Sequence, residues 1–198
     1  MAKRRARPGS GSSRQTLRER GAAYGAADVT KHLGEVPFVI VGGLATRLYM
    51  PERMTLDVDV LVLSRDQERA ERALAGSGCE KKGPLTVGDS VWRLPEGRML
   101  DLIALDEPWV RAALREAVNS PDGQPYVGLR YLVLMKLGSG RMQDLADISR
   151  MLGGADEPTL DGVRQLVKRH RKQDLDDLES LIALGRLEWD EDAPRRQA

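Results

Sequence analysis

Residues 39–63 read VIVGGLATRLYMPERMTLDVDVLVL, and the fold turns on how this stretch is parsed. An apolar run ends at Gly42-Gly43, a short amphipathic segment follows, and a second apolar run carries Asp57 and Asp59 one residue apart. Apolar, β-branched runs bounded by glycine and proline read as strands, so "PFVIVG" and "LDVDVLVL" (56–63) are two strands. "LATRLYM" between them is a short helix stopped by Pro51. Side chains two apart in a strand share a face. Val58, Val60 and Val62 therefore take one face of the second strand, while Thr55, Asp57, Asp59 and Leu61 take the other.

Two carboxylates on one face repel and raise each other's pKa unless a cation lies between them. Mg²⁺ suits such hard oxygen ligands and takes its remaining ligands from water and substrate phosphate. Glycines between a strand and a helix let a phosphate approach backbone N–H groups, and a helix N-terminus favours anions. Asp101 supplies a third acid, inside "RMLDLIAL" between Leu100 and Leu102. An ionised residue in mid-strand needs a partner. If this strand lies beside 56–63, Asp101 helps bind a second metal and acts as general base toward an attacking hydroxyl.

Outward from this centre the chain alternates. Residues 15–33 have helical spacing, weakened by Gly21 and Gly25. Ser64 opens a helix with Gln67 at the capping-box position and glycines 76 and 78 at its end. "SVWRL" and "RMLDLIAL" flank "PEG" as a β-hairpin. Asp106 caps a helix with Pro108 in its first turn and Trp109, Val110, Ala113, Leu114 and Ala117 inside. "NSPDGQP" (119–125) is a loop, and helices are expected at 128–137, 140–152 and 159–184. The fold class expected is α+β, a small mixed sheet flanked by helices with a helical C-terminal lobe. The expected organisation is a disordered basic tail (1–14), a core (15–118), the helical lobe (119–189) and a second tail (190–198).

Composition excludes several classes. At 198 residues the chain buries one core, in one or two lobes. No stretch approaches the ~20 apolar residues of a membrane span. The N-terminus lacks the apolar segment of a secretory signal. Cys79 is the only cysteine and cannot form an internal disulfide, which suits a cytoplasmic setting. The net charge is +1, but the first twenty residues hold seven Lys/Arg against Glu19, so the rest is mildly acidic. That leaves no broad basic field for wrapping nucleic acid; only the tail is suited to RNA phosphates. Aromatic residues make up 4%, which argues against stacking on long single strands. His32 and His170 have no His or Cys at zinc spacing and read as ordinary surface histidines. Ser139, between Gly138 and Gly140, reads as a helix junction. The run "VKRHRK" (167–172) reads as a solvated helix face.

Gly42-Gly43 followed by Asp57-Val58-Asp59 resembles the hG[G/S]…DhDh signature of the DNA polymerase β-like nucleotidyltransferase superfamily. The fuller string, with Arg53 and Thr55 ahead of the acids, resembles the minimal AbiEii-type subgroup, which includes toxins of type IV toxin–antitoxin systems. Downstream, "YLVLMKLGSGRMQDLADISRML" is similar to that subgroup's K-L-x-x-x-R-x-x-D-x-x-D segment, with Lys136, Arg141, Asp144 and Asp147. The resemblance covers about residues 36–152. It implies Mg²⁺-dependent transfer of a nucleotidyl group from an NTP to a hydroxyl, with release of pyrophosphate. Asp57, Asp59 and Asp101 would be metal-binding and catalytic. Gly42, Gly43, Arg53, Thr55, Lys136, Arg141 and Asp147 would serve the nucleotide or the acceptor. Gln143 departs from the pattern, standing where many relatives carry Lys or Arg. Lys136 is a point charge suited to a γ-phosphate and Arg141 a fork suited to phosphate. On spacing alone, Arg141, Asp144 and Asp147 also describe an i,i+3 salt-bridge ladder. The expected acceptor is a tRNA end, a protein hydroxyl or a small molecule, and an antitoxin protein is an expected partner. The alternative is a nucleotide- or partner-binding protein that kept the scaffold and lost turnover.

Overall fold

A computed structural model describes residues 27–50, 55, 57–84, 89–120 and 122–191, with the side chains of the last two left out. The expected tail at 1–14, residues 192–198 of the tail expected at 190–198, the first part of the 15–33 helix, and Arg53 lie outside the described residues, while residues 190 and 191 end the last helix. The chain divides into two compact units. One comprises residues 27–45 and 55–128 of those described, and the other comprises 46–50 and 129–191.

The first unit is built on a seven-stranded sheet. Its strands are β1 (Val39–Val41), β2 (Val58–Leu63), β3 (Glu80–Pro84), β4 (Ser90–Arg93), β5 (Met99–Leu105), β6 (Val118–Asn119) and β7 (Pro125–Tyr126), in the order β3-β4-β5-β2-β1-β7-β6. Strand β2 runs antiparallel to β1 and parallel to β5, and β7 runs parallel to β1. The sheet is therefore mixed, as expected. The hairpin around "PEG" is present, with Arg93 opposite Met99. Strand β3 was not anticipated, because its sequence, EKKGP, has no apolar alternation and it forms an exposed edge. The expected loop at 119–125 is shorter, because its ends pair as the two-residue strands β6 and β7.

The centre of the sheet is apolar on both faces. Val39, Ile40, Val41, Val58, Val60, Leu61, Val62, Leu100 and Leu102 are all 0% exposed. The helices of this unit are α1 (Thr30–Leu33), the first turn of α2 (Gly42–Tyr49), α3 (Gln67–Gly76) and α4 (Val110–Arg115). Two caps differ from expectation. Residues Ser64–Asp66 form a 3-10 turn ahead of α3, and no side-chain cap bond is made at either start. Helix α4 begins at Val110, with Trp109 as an uncapped N-cap, so Asp106 lies outside it.

The second unit is helical: α5 (Leu129–Ser139), α6 (Met142–Gly153), α7 (Glu157–His170) and α8 (Leu175–Glu191), besides residues 46–50. Asp156 caps α7 by accepting from the Thr159 N–H at 3.0 Å. The expected single helix over 159–184 is two helices, because Arg171 leaves helical geometry (φ −147°, ψ 54°). The break was hidden because Leu160, Val163, Val167, Leu175, Leu178 and Ile182 keep one helical phase across it, with Arg171 in the apolar slot between them.

Helices α6 and α8 cross on glycine. A Cβ at Gly185 would lie 2.0 Å from the Ser149 carbonyl oxygen, and one at Gly153 would lie 2.2 Å from the Gly185 oxygen. Gly162, inside α7, has nothing within 4 Å of its notional Cβ. Gly162→Ala is therefore expected to raise stability by roughly 0.5–1 kcal/mol, as for glycine in a helix interior. Gly185→Ala is expected to lower it, since backbone cannot yield as a side-chain tip can. Paired thermal unfolding curves check both; equal shifts would show that the crossing is loose.

Candidate active site

The sequence requirement was that "RMLDLIAL" lie beside the Asp57/Asp59 strand, and it does. Strands β2 and β5 pair in parallel over six residues, with Asp59 directly opposite Asp101. Paired residues of adjacent strands point to the same face, about 5 Å apart along the sheet. On the other side of β5, Val91 of β4 is opposite Asp101. Asp89, two residues before Val91, is brought to the same face by strand alternation. Asp57 is exposed just before β2, while Asp59, Asp89 and Asp101 are half-buried.

The electrostatics follow from this arrangement. Burial, then the charges of Asp59, Asp57 and Asp89, push the Asp101 carboxyl up to about 6. Four carboxylates thus act on one patch of the sheet. Asp89, whose Oδ1 accepts from the Ala104 N–H at 3.2 Å, was not anticipated from sequence. Its only signal is an acid two residues before Val91, the residue opposite Asp101.

The glycine pair packs against the same patch. Gly42 has a positive φ of 59°, and a Cβ there would meet Asp59 Oδ2 at 1.8 Å and its Cγ at 2.5 Å. A Cβ at Gly43 would meet Thr55 Cβ at 2.8 Å and Oγ1 at 2.9 Å. The glycines therefore seat Asp59 and Thr55 against the first turn of α2.

Carboxylate oxygens on one face, partly buried and close to one another, are hard donors of the type a divalent cation takes. Among the described residues, no group of three or more His, Cys, Asp or Glu side chains is placed to hold a metal ion. Asp57, Asp59 and Asp101 are the residues that would hold the ion.

The downstream motif forms a network within the helical unit. Lys136 is 5% exposed, and its Nζ donates to Asp144 Oδ1 at 2.6 Å and Asp147 Oδ2 at 2.8 Å. Arg141 Nε and Ser139 Oγ donate to Asp144 Oδ2, and Gln143 Nε2 donates to Asp147 Oδ1 at 3.1 Å. Burial alone would raise the Asp144 carboxyl, but the bonds from Lys136, Ser139 and Arg141 overcome it and hold it below the usual range. The i,i+3 ladder is thus real, yet it is centred on a buried ammonium rather than spread over a solvated face. Arg141, with its side chain 78% exposed, is the member presented to solvent. Gln143 is not a vacancy: it binds Asp147.

No family model matches the chain, and no curated protein does. Among solved structures, the antibiotic-resistance factor ANT(2″)-Ia in complex with adenylyl-2″-tobramycin is 16% identical, over 90% of this chain and 99% of that one, with a TM-score of 0.41. A CCA-adding enzyme complexed with CTP is 17% identical, over 86% of this chain and 49% of that one, with a TM-score of 0.43. The Thermotoga maritima CCA-adding enzyme complexed with tRNA is 15% identical, over 71% and 41%, with a TM-score of 0.37. Likenesses at this level decide nothing about the site, whose reading stands on its own geometry.

The raised Asp101 carboxyl has a consequence for stability. Its folded pKa lies above the unfolded value, so its contribution is fully present below about pH 4 and is lost as pH rises through about 6. Asp101→Asn removes that loss. The variant is expected to melt above the wild type at pH 7.5 in metal-free buffer, with the difference vanishing by pH 4. A gain independent of pH would remove like-charge crowding as its cause.

Proposed function

We propose that this chain is a divalent-metal-dependent nucleotidyltransferase of the polymerase β-like type, moving a nucleoside monophosphate from an NTP to a hydroxyl acceptor. One observation carries the reading: Asp59 and Asp101 stand in register on adjacent strands, with Asp59 packed against Gly42 at the start of a helix. That arrangement supports carboxylates and a helix N-terminus working on one substrate.

In this reading Asp57, Asp59 and Asp101 hold the cation, which supplies charge compensation to the transferring phosphoryl group. Gly42, Gly43 and Thr55 flank the triphosphate, and Arg53 is assigned there by its place in the motif. Asp101 is also the base that takes the proton from the attacking hydroxyl. The acceptor oxygen bonds to the α-phosphorus as the bond to pyrophosphate breaks. In the helical unit, Arg141 is assigned to an anionic group of the nucleotide or acceptor. Lys136 and Asp147 act through the network that fixes the turn carrying it. The acceptor is a tRNA end, a protein hydroxyl or a small molecule. A toxin role with a partner antitoxin, and a cytoplasmic site of action, rest on the sequence resemblance and the single cysteine. No described helix is long and apolar enough to cross a membrane.

The test is incubation with each labelled NTP, Mg²⁺ and total tRNA, then with candidate small-molecule acceptors. Label on an acceptor or on the protein is expected, and Asp59→Ala is expected to abolish it while leaving the melting temperature unchanged or raised. Tight NTP binding without label transfer would support a non-catalytic binder instead. An Asp59→Ala protein that unfolds would make the acid structural.

A further inference from the structure

The face that carries Asp59 and Asp101 continues onto β4. Val91 stands opposite Asp101 and Arg93 opposite Met99, so Met99, Asp101, Ile103, Val91 and Arg93 share that face. Met99, Asp101, Ile103 and Val91 are half-buried. The other face of the same two strands is closed: Leu100, Leu102, Ser90 and Trp92 are no more than 3% exposed. On β2, Leu61 stands opposite Ile103 and is fully buried, so the half-open strip lies over β5 and β4. Asp89 borders it, with its carboxylate held by the Ala104 N–H. As a diagonal neighbour across the β4–β5 pair, Asp89 lies roughly 7–8 Å from Asp101. Arg93 is the only cation in β4 and β5, and it is ion-paired with Glu80.

Building on the nucleotidyltransferase reading, we propose that this strip seats the acceptor and that Asp89 selects it. The acceptor class is a small molecule with an apolar body, a reacting hydroxyl at one end and an ammonium group at the other. In-line displacement sets the attacking oxygen and the departing pyrophosphate on opposite sides of the phosphorus. With the triphosphate at the start of α2, beside Asp59, the sheet order β4-β5-β2-β1 leaves the acceptor over β5 and β4. Two strands make a floor about 10 Å wide, the width of one ring-sized body. Met99, Val91 and Ile103 take the apolar part, and the hydroxyl reaches Asp101. A carboxylate keeps lone pairs beyond the one that Ala104 engages, and a bond from an ammonium group to it is charge-assisted. A nucleic acid is disfavoured on this strip. Its phosphates would meet Asp89 and Asp101, with no unpaired Arg or Lys on either strand to receive them.

Tyramine is the probe, with a hydroxyl and an ammonium group at opposite ends of one ring, and N-acetyltyramine is its uncharged counterpart. The full chain, methyl-labelled and in Mg²⁺, is titrated with each and followed by nuclear magnetic resonance. Saturable shifts of the Met99, Val91 and Ile103 methyls are expected with tyramine, and binding about tenfold weaker with N-acetyltyramine. Asp89→Asn should abolish that preference. If that variant does not fold, Val91→Lys reads the same floor, since an added cation should prevent tyramine binding. Labelled NTP is then supplied with tyramine or with total tRNA, and label on tyramine is expected. Methyl shifts without label on any acceptor keep the acceptor seat and contradict the nucleotidyltransferase reading. Label on tRNA with none on tyramine supports transfer and overturns this inference. Absence of shifts at the three methyls also overturns it, as does a preference for tyramine unchanged in folded Asp89→Asn protein.

Discussion

The constraint on which the candidate site depends is like-charge crowding on the sheet. The parallel pairing of β2 with β5 puts Asp59 beside Asp101, and β4 adds Asp89 on the same face. Burial, and after it the neighbouring carboxylates, disfavour the ionised form of Asp101, and its carboxyl is pushed up to about 6. The surrounding strand residues are buried and apolar, so the backbone cannot easily relax the strain by moving a strand. The glycine at 42 lets the Asp59 carboxylate lie against the start of α2. Register, burial and an absent Cβ together maintain a charge distribution that a divalent cation would relieve.

The helical unit handles acids in the opposite way. Asp144 and Asp147 are buried, but both accept from the Lys136 ammonium, and the Asp144 carboxyl is held low rather than high. There the countercharge is part of the chain. A half-satisfied buried network would be costly, and this one is closed by Ser139, Arg141 and Gln143. Two groups of aspartates in one sequence are thus separated by their electrostatic environment. One group stabilises a helix pair, and the other stores repulsion at a sheet face.

Much of this was legible in the sequence because the decisive features are local. Alternation in "LDVDVLVL" fixed the face of Asp59, and the glycine pair marked the strand-to-helix transition. The position of Asp101 inside an apolar strand made it the natural third acid. What the sequence hid was set by tertiary placement or by weak patterning. Edge strand β3 has no apolar period. The break at Arg171 leaves the helical phase unchanged. By residue type Lys136 is a point charge suited to a γ-phosphate, and its burial against Asp144 and Asp147 depends on how α5 packs on α6. His32 is buried where the sequence suggests a surface residue, since Ser77 and Cys79 meet it only through the fold.

The central claim is that the Asp57/Asp59/Asp101 face binds a divalent cation. The most direct measurement is Mn²⁺ binding to the wild-type protein, followed by electron paramagnetic resonance with and without a non-hydrolysable NTP analogue. The account predicts saturable Mn²⁺ binding that tightens with the nucleotide and is lost in Asp59→Ala. Mn²⁺ that remains free under all conditions, or that binds Asp59→Ala as well as the wild type, would contradict it.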